Sequence, residues 1–388
     1  MNELQTKFAT LETTLQDEVL ERDREIHCAI LAILAQKHFF MVGVPGTAKS
    51  FLIKRLTARI EGFGDDGLFQ WLLTRHTTPE EIFGPANLAK LREGEYVRVT
   101  DGKLPVARIA FLDEMFKASS SILNSLLMIA NERVFHNGSE PEDTEVCSIF
   151  AASNELPQDD GLAALWDRLH FRFEVHPIRE GGNFVKMLTL TPEKDPEKIV
   201  SWDDVLTAQQ EISEVAVPEL VLDNVKALRD ALKEKDIHPS ERRFHECMDI
   251  LRAEAWMAGR SEVKVSDIRV LRNTLWENTD HQREVEGVVL EVASPLDREA
   301  HELIGMLTEL ESEFNDAVRG AATDDDVAKQ SVEIFTKMKR VNEKKLQLKS
   351  KIGPDDSTEM YDELHTLWVN LGHRIAREGF KMDSLGST

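Results

Sequence analysis

Over roughly the first 180 residues, short apolar runs alternate with stretches of helical period. The runs at 39–44, 108–112, 147–152 and 171–176 are too short for helices and are bounded by polar or turn-forming residues. This alternation predicts an α/β region, a parallel sheet flanked by helices. From about 181 to 291 the spacing turns helical, with breaks at Pro192, Pro196, Pro218 and Pro239, which predicts a smaller all-α domain. Beyond Pro295 three stripes follow. Leu303, Met306, Leu307, Leu310, Phe314 and Val318 form the first, and Val327, Ile334, Val341 and Leu348 recur every seven residues with Met338 between them. Met360, Leu364, Leu367, Trp368, Leu371 and Ile375 form the third, with breaks at 320–326 and 353–357. They predict a three-helix bundle or arm, whose stripes are core first and an interaction face only as the alternative. The expected divisions are 1–182, 183–291 and 292–388.

Composition narrows the function classes. The 388 residues carry 47 Lys+Arg against 70 Asp+Glu, a formal charge of −23, which argues against broad electrostatic binding of nucleic acid. Neither 28–35 nor 39–44 approaches the ~20 apolar residues of a spanning helix. The polar, acid-containing start does not read as a signal or transit peptide. Cys28, Cys147 and Cys247 are odd in number and far apart, without zinc-site spacing, so a cytoplasmic, reducing location is expected.

The chemistry concentrates first at Gly43-Val44-Pro45-Gly46-Thr47-Ala48-Lys49-Ser50-Phe51, which follows an apolar run and opens a helical pattern through Ile60. Backbone N–H groups of such a turn wrap phosphates, and the following helix N-terminus adds partial positive charge. Lys49 is placed to reach the β/γ-phosphates and Ser50 Oγ to ligate Mg²⁺. Ala48 stands where the strict pattern has Gly. Because Ala disfavours left-handed geometry, a turn in which this residue is already helical is expected.

A second apolar run, 107–112, ends in Asp113-Glu114. Asp113 suits Mg²⁺ through its water shell, and Glu114 suits a general base, an effect worth about 10²–10⁴. A capping pair at the end of an ordinary strand is the bland reading. A third run ends at Ser153-Asn154, where Asn154 either orients the attacking water or makes a turn. Arg168 follows Asp167 and precedes another apolar run containing Arg172. It offers either a cation to a neighbouring subunit's phosphate or a salt bridge to Asp167. Ser240-Glu241-Arg242-Arg243 opens a helix after Pro239, and an arginine there either reaches the nucleotide from the helical domain or lies in solvent.

With these motifs in order, the chain resembles the MoxR family of AAA+ ATPases, most closely its RavA-like branch. The carrying segments are 43–50, 72–85 (LLTRHTTPEEIFGP), 109–138, 151–157 (AASNELP) and 167–175 (DRLHFRFEV). The likeness runs from about 21 to 291. It implies an AAA+ P-loop αβα core and an all-α lid assembled as a ring, usually hexameric, with ATP and Mg²⁺ between subunits. On that pattern 43–50 is Walker A, Asp113 and Glu114 are Walker B, Asn154 is sensor 1, Arg168 the arginine finger and Arg242 sensor 2, with Arg243 as a competitor. The family also commonly carries Ala before the Walker A Lys. Segments near 84–103 and 132–138 resemble the helix-2 insert and the hairpin before sensor 1, which would line a pore. Chaperone-like remodelling of a protein client is implied, with a separate von Willebrand factor A-domain partner, since no Asp-x-Ser-x-Ser motif occurs here. The RavA-like β-rich insertion is not expected among the C-terminal helices. A slow nucleotide-gated scaffold is the alternative. A DNA-acting motor is disfavoured by charge and by the absence of a GAFTGA loop.

Overall fold

A computed structural model describes residues 1–62, 67–138, 140–157, 162–191, 193–320, 324–352, 359–380 and 382. The predicted break at Pro192, and those around 321–323 and 353–357, lie outside the described residues. The chain divides into two compact units, Met1–Glu286 and Gly287–Thr388.

The first unit opens with α1 (Glu3–Glu18) and α2 (Asp23–Leu34), then β1 (His38–Val42), α3 (Lys49–Ala58), β2 (Ile60–Glu61) and β3 (Leu68–Leu72). Two short helices follow, α4 (Pro79–Phe83) and α5 (Leu88–Arg92), before β4 (Ile109–Asp113) and α6 (Ser120–Glu132). A hairpin of β5 (Val134–Asn137) and β6 (Glu140–Asp143) leads to β7 (Ser148–Ser153), α7 (Ala163–Arg168) and β8 (Leu169–Glu174). The sheet runs β3-β4-β7-β1-β8, all parallel. Phe39, Phe40, Phe111, Phe150 and Phe171 are fully buried in it, as expected when helices cover both faces.

Four of the five strands coincide with the predicted runs to within about two residues at each end; β3 is the addition. Its Leu-Phe-Gln-Trp-Leu lies at a sheet edge with only Phe69 buried, so it lacks the continuous apolar signature of a central strand. Register then fixes the site. Val42 lies beside Ser153, Leu112 beside Ala151 and Leu72 beside Asp113, which gathers the carboxyl ends of β1, β4 and β7 at one edge. At the opposite edge His38 lies beside Leu169.

The helical region holds α8 (Gly181–Thr189), β9 (Val200–Ser201), α9 (Trp202–Ser213), α10 (Glu219–Glu234), α11 (Glu241–Met257) and a 3-10 run at Val265–Asn273. It is all-α apart from β9, which pairs in parallel with β2. The N-terminal helices pack into it: Phe8 meets Trp256 edge-on at 5.5 Å, and His27 bridges Glu12 and Glu254 at 2.8 and 2.6 Å. The unit boundary falls inside α12 (Thr279–Ala293).

The second unit contains α13 (Pro295–Gly320), α14 (Asp324–Lys351) and α15 (Glu359–Arg374), closed by a π-helical turn at Ile375–Gly379. Leu303, Phe314, Met338, Val341, Leu364 and Ile375 meet in its core, as the stripes predict. Met306 and Val318 do not: they are 40% and 37% exposed, at the edge of the first stripe.

Candidate active site

The turn after β1 is set by close backbone approach. A Cβ on Gly43 would stand 2.2 Å from the Val175 carbonyl oxygen, so only glycine fits where this loop crosses the end of β8. Gly46 has φ +84°, and Thr47 Oγ1 donates to the Val44 carbonyl at 2.9 Å, tying the loop across its own mouth. Ala48 contradicts the helical geometry expected of it: φ is +67° and ψ +15°, left-handed, immediately before α3. Its carbonyl nevertheless accepts from Leu52 N–H at 2.9 Å, so the residue is the pivot on which the helix starts. Holding an alanine there costs about 1 kcal/mol, sustained by the surrounding loop.

Lys49 lies within this loop, its Nζ donating to the carbonyls of Gly43 at 2.6 Å and Val44 at 3.0 Å. Burial lowers its pKa, opposed by the charges of Asp113 and Glu114. Ser50 Oγ is 3.5 Å from Asp113 Oδ2, bringing together two hard oxygen donors from α3 and β4. Glu114 is left-handed at φ +54°, with its N–H on Asp113 Oδ1 at 3.0 Å. That twist aims the two carboxylates differently. Asp113 turns toward Ser50, whereas Glu114 Oε1 accepts from Asn154 Nδ2 and Oε2 lies 3.1 Å from Lys117 Nζ. Lys49, Ser50, Asp113, Glu114 and Asn154, from three strand ends, thus meet at one end of the sheet.

The arginines sit elsewhere. Arg168 ends α7 at the edge where β8 begins; it donates to the Ala164 carbonyl at 2.9 Å and to Asn131 Oδ1 at 3.1 Å. It also lies 3.9 Å from Asp167 Oδ2, so the ion pair with its neighbour forms alongside these hydrogen bonds. Arg242, from the start of α11, donates to the same Asn131 Oδ1. Helix α11 starts beside Asp167, which is bonded to Ser240, so Arg242 joins Arg168. Arg243 takes a different part. It is 2% exposed and donates to the carbonyls of Thr274 at 2.7 Å and His170 at 3.2 Å, with Asp167 also bonded to Ser240 at 2.9 Å. Arg172 is likewise structural, buried against Trp166 at 3.9 Å and donating to the Trp166 carbonyl at 2.6 Å.

The family model for the MoxR domain of MoxR-vWA-beta-propeller ternary systems matches residues 6–211, and a model for an AAA lid domain matches 220–289. The chain belongs to the MoxR family of AAA+ ATPases. It is 37% identical to the uncharacterized protein MJ0079 of Methanocaldococcus jannaschii over 295 residues, 76% of each chain. It is 38% identical to MJ0812 of the same organism over 281 residues, 72% of this chain and 74% of that one. A weaker likeness, 27% over 212 residues, covers 52% of this chain and 34% of the structural protein ORF618 of Acidianus two-tailed virus. The crystal structure of a putative ATPase from Cytophaga hutchinsonii superposes with a TM-score of 0.59 at 18% identity, over 74% of this chain and 94% of that one, which shows the shared fold.

The family uses nucleotide and Mg²⁺, and the residues present fit both. Ser50 and Asp113 offer oxygen ligands close enough to share one hydrated cation. Beside Gly46, Thr47 and Phe51 lies a cavity of about 380 Å³ walled by Val19, Leu20, Pro177, Ile178, Phe184 and Met187, dimensions and apolarity that suit a nucleobase. Sequence reasoning missed these walls because they come from three separated segments without a motif. Glu21, next to Leu20, links two of these segments: its carboxylate accepts from the N–H groups of Arg179 at 2.8 Å and Glu180 at 2.9 Å and from Asn183 Nδ2 at 3.2 Å. Those bonds fasten the start of α8, which carries Phe184 and Met187, beside the loop.

The two segments likened to the MoxR insert and hairpin dock on one another. Asn137 accepts from Arg98 N–H at 2.7 Å, and a Cβ on Gly138 would lie 2.1 Å from the Tyr96 carbonyl oxygen. Leu88, Leu91 and Tyr96 on the insert remain exposed. Among the described residues no helix is long and apolar enough to cross a membrane.

Proposed function

We propose that this chain is an ATP-hydrolysing subunit of a ring, usually hexameric in this family, in which each nucleotide is completed by arginines of the neighbouring copy. The observation that carries this reading is the separation of the site's two halves along β1. The phosphate loop leaves the strand after Val42, whereas Arg168 and Arg242 flank Asn131, next to Ala130, whose carbonyl accepts from His38 at 3.0 Å at the strand's other end. Five residues at about 3.3 Å each put roughly 15 Å between those ends, beyond an arginine's reach to its own loop. Two guanidinium groups sharing one acceptor repel each other, so the pair suits a polyanion brought by another copy.

Within one subunit, residues 43–51 cradle the triphosphate, and Lys49 exchanges its loop carbonyls for phosphate oxygens. Ser50 and Asp113 hold Mg²⁺, which when bound neutralises charge on the phosphates. Glu114 takes a proton from the attacking water, and Asn154 keeps its carboxylate aimed. Arg168 and Arg242 offset the charge that builds on the neighbour's γ-phosphate.

The work supported by this arrangement is remodelling or activation of a protein client, contacted by the exposed insert residues Leu88, Leu91 and Tyr96. The matched family's description supports a separate von Willebrand factor A-domain partner. Likeness to the RavA-like branch rests on the motif segments 43–50, 72–85, 109–138, 151–157 and 167–175. Three buried cysteines accord with a cytoplasmic setting.

The test is ATPase rate per subunit against protein concentration, with mass photometry on the same samples. A rate that climbs as rings form supports the shared site. Constant slow turnover by monomers would favour the nucleotide-gated scaffold and remove Arg168 from the chemistry. A DNA-acting motor would require salt-sensitive DNA binding.

A further inference from the structure

We infer that Asn131 is the positioning residue that holds Arg168 and Arg242 as one paired cation for the neighbouring copy's nucleotide. The inference rests on the shared-site reading and adds a residue to it. Asn131 sits at the end of α6, exposed and outside every Walker element. Its single side-chain oxygen accepts from Arg168 Nη2 at 3.1 Å and from Arg242 Nη1. The two guanidinium groups come from different layers, α7 of the α/β core and α11 of the lid, and like charges would otherwise drive them apart. A neutral amide oxygen is the suitable tether, since an acceptor with two lone pairs takes both donors without cancelling either charge.

The surroundings hold the rest of the assembly still and leave this one joint to Asn131. Ser240 and Arg243 of α11 bind Asp167 at 2.9 and 3.4 Å, and His170 binds Glu246 of α11 at 2.6 Å. The backbone of Asp167–His170 is therefore fastened to the lid helix, while the free ends of Arg168 and Arg242 share Asn131. A lid moved by nucleotide in its own site would carry the pair with it, which links one site's occupancy to the next site's chemistry.

Subunit mixing tests the assignment. Asn131→Ala alone should lower kcat at least tenfold while mant-ADP affinity stays within about threefold of wild type. Mixed with Glu114→Gln subunits, which supply intact Asn131, Arg168 and Arg242 but no base, it should regain ATPase activity, because the Asn131→Ala subunit still carries a complete Walker site. Arg168→Ala mixed with Glu114→Gln serves as the reference. If that reference pair regains activity and the Asn131→Ala pair does not, Asn131 is no trans positioning residue and the inference falls while the shared site stands. Wild-type kcat for Asn131→Ala, or loss of its mant-ADP binding, also overturns it. If neither pair recovers, the shared-site reading itself fails, and this inference with it.

Discussion

Asn154 Nδ2 donates to Oε1 of Glu114, so the amide ending β7 holds the carboxylate that follows β4. Neither residue could be placed by its own strand alone. The left-handed backbone of Glu114 swings its side chain away from Asp113 and toward β7, where Asn154 meets it. Asn154→Ala should consequently lower kcat about 10- to 100-fold, with KM for ATP changed less than about threefold. Glu114→Gln should keep ATP bound and slow hydrolysis at least about 100-fold. Single-turnover and equilibrium-binding measurements on the same preparations check both; normal hydrolysis by Glu114→Gln would remove it as the base.

Lys49 is buried within the loop and bonded to two of its carbonyls. Lys49→Ala should weaken nucleotide binding more than tenfold, read by titration calorimetry. Retained binding with lost hydrolysis would move Lys49 from binding to chemistry.

The apolar cavity makes a separate forecast. Phe184→Ala combined with Met187→Ala should raise the Kd for ADP about thirtyfold, since each removed side chain is worth about 1 kcal/mol of buried area. Affinity for pyrophosphate, which has no base, should not change. Equal losses for both ligands would mean that the cavity does not hold the base.

Arg242 and Arg243 are adjacent in sequence and opposite in role. Arg243→Ala would leave the buried carbonyls of His170 and Thr274 without their donor and should destabilise the protein by about 3 kcal/mol. Arg242→Ala should change stability by less than about 0.5 kcal/mol and lose ATPase activity. Denaturant melts and turnover on both variants decide this, and the reverse pattern would exchange the assignments.

His27 gives the fold a pH dependence. Burial alone would lower its pKa, but Glu254 and Glu12 more than offset that and hold it well above the ordinary value, with Arg269 3.9 Å from Glu254. A raised folded-state pKa means that the folded form binds the extra proton. The stabilisation is therefore full below about pH 6.5 and is lost as pH rises through the folded pKa. His27→Gln should lower stability by about 2 kcal/mol at pH 6, and the difference from wild type should shrink at alkaline pH. A difference constant between pH 6 and pH 10 would refute the charged assignment.

The sequence by itself determined the local chemistry and the element types. The phosphate turn, the acid-ended strand, the strand ending in Asn154 and the helical stripes all depend on neighbours within a few residues, and periodicity or spacing reports such neighbours directly. Edge strand β3, half exposed, wrote no such pattern. Ala48 shows the limit of residue preference: a cost of about 1 kcal/mol is overridden when the surrounding loop demands a left-handed turn. What only the tertiary structure decided is every relation between distant segments. The parallel register puts Arg168 at the opposite end of β1 from Lys49; helix α11 brings Arg242 to Asn131 while burying Arg243; and residues near 20, 178 and 184 meet as one cavity. Such meetings follow from how the sheet and lid pack, and no spacing along the chain encodes them.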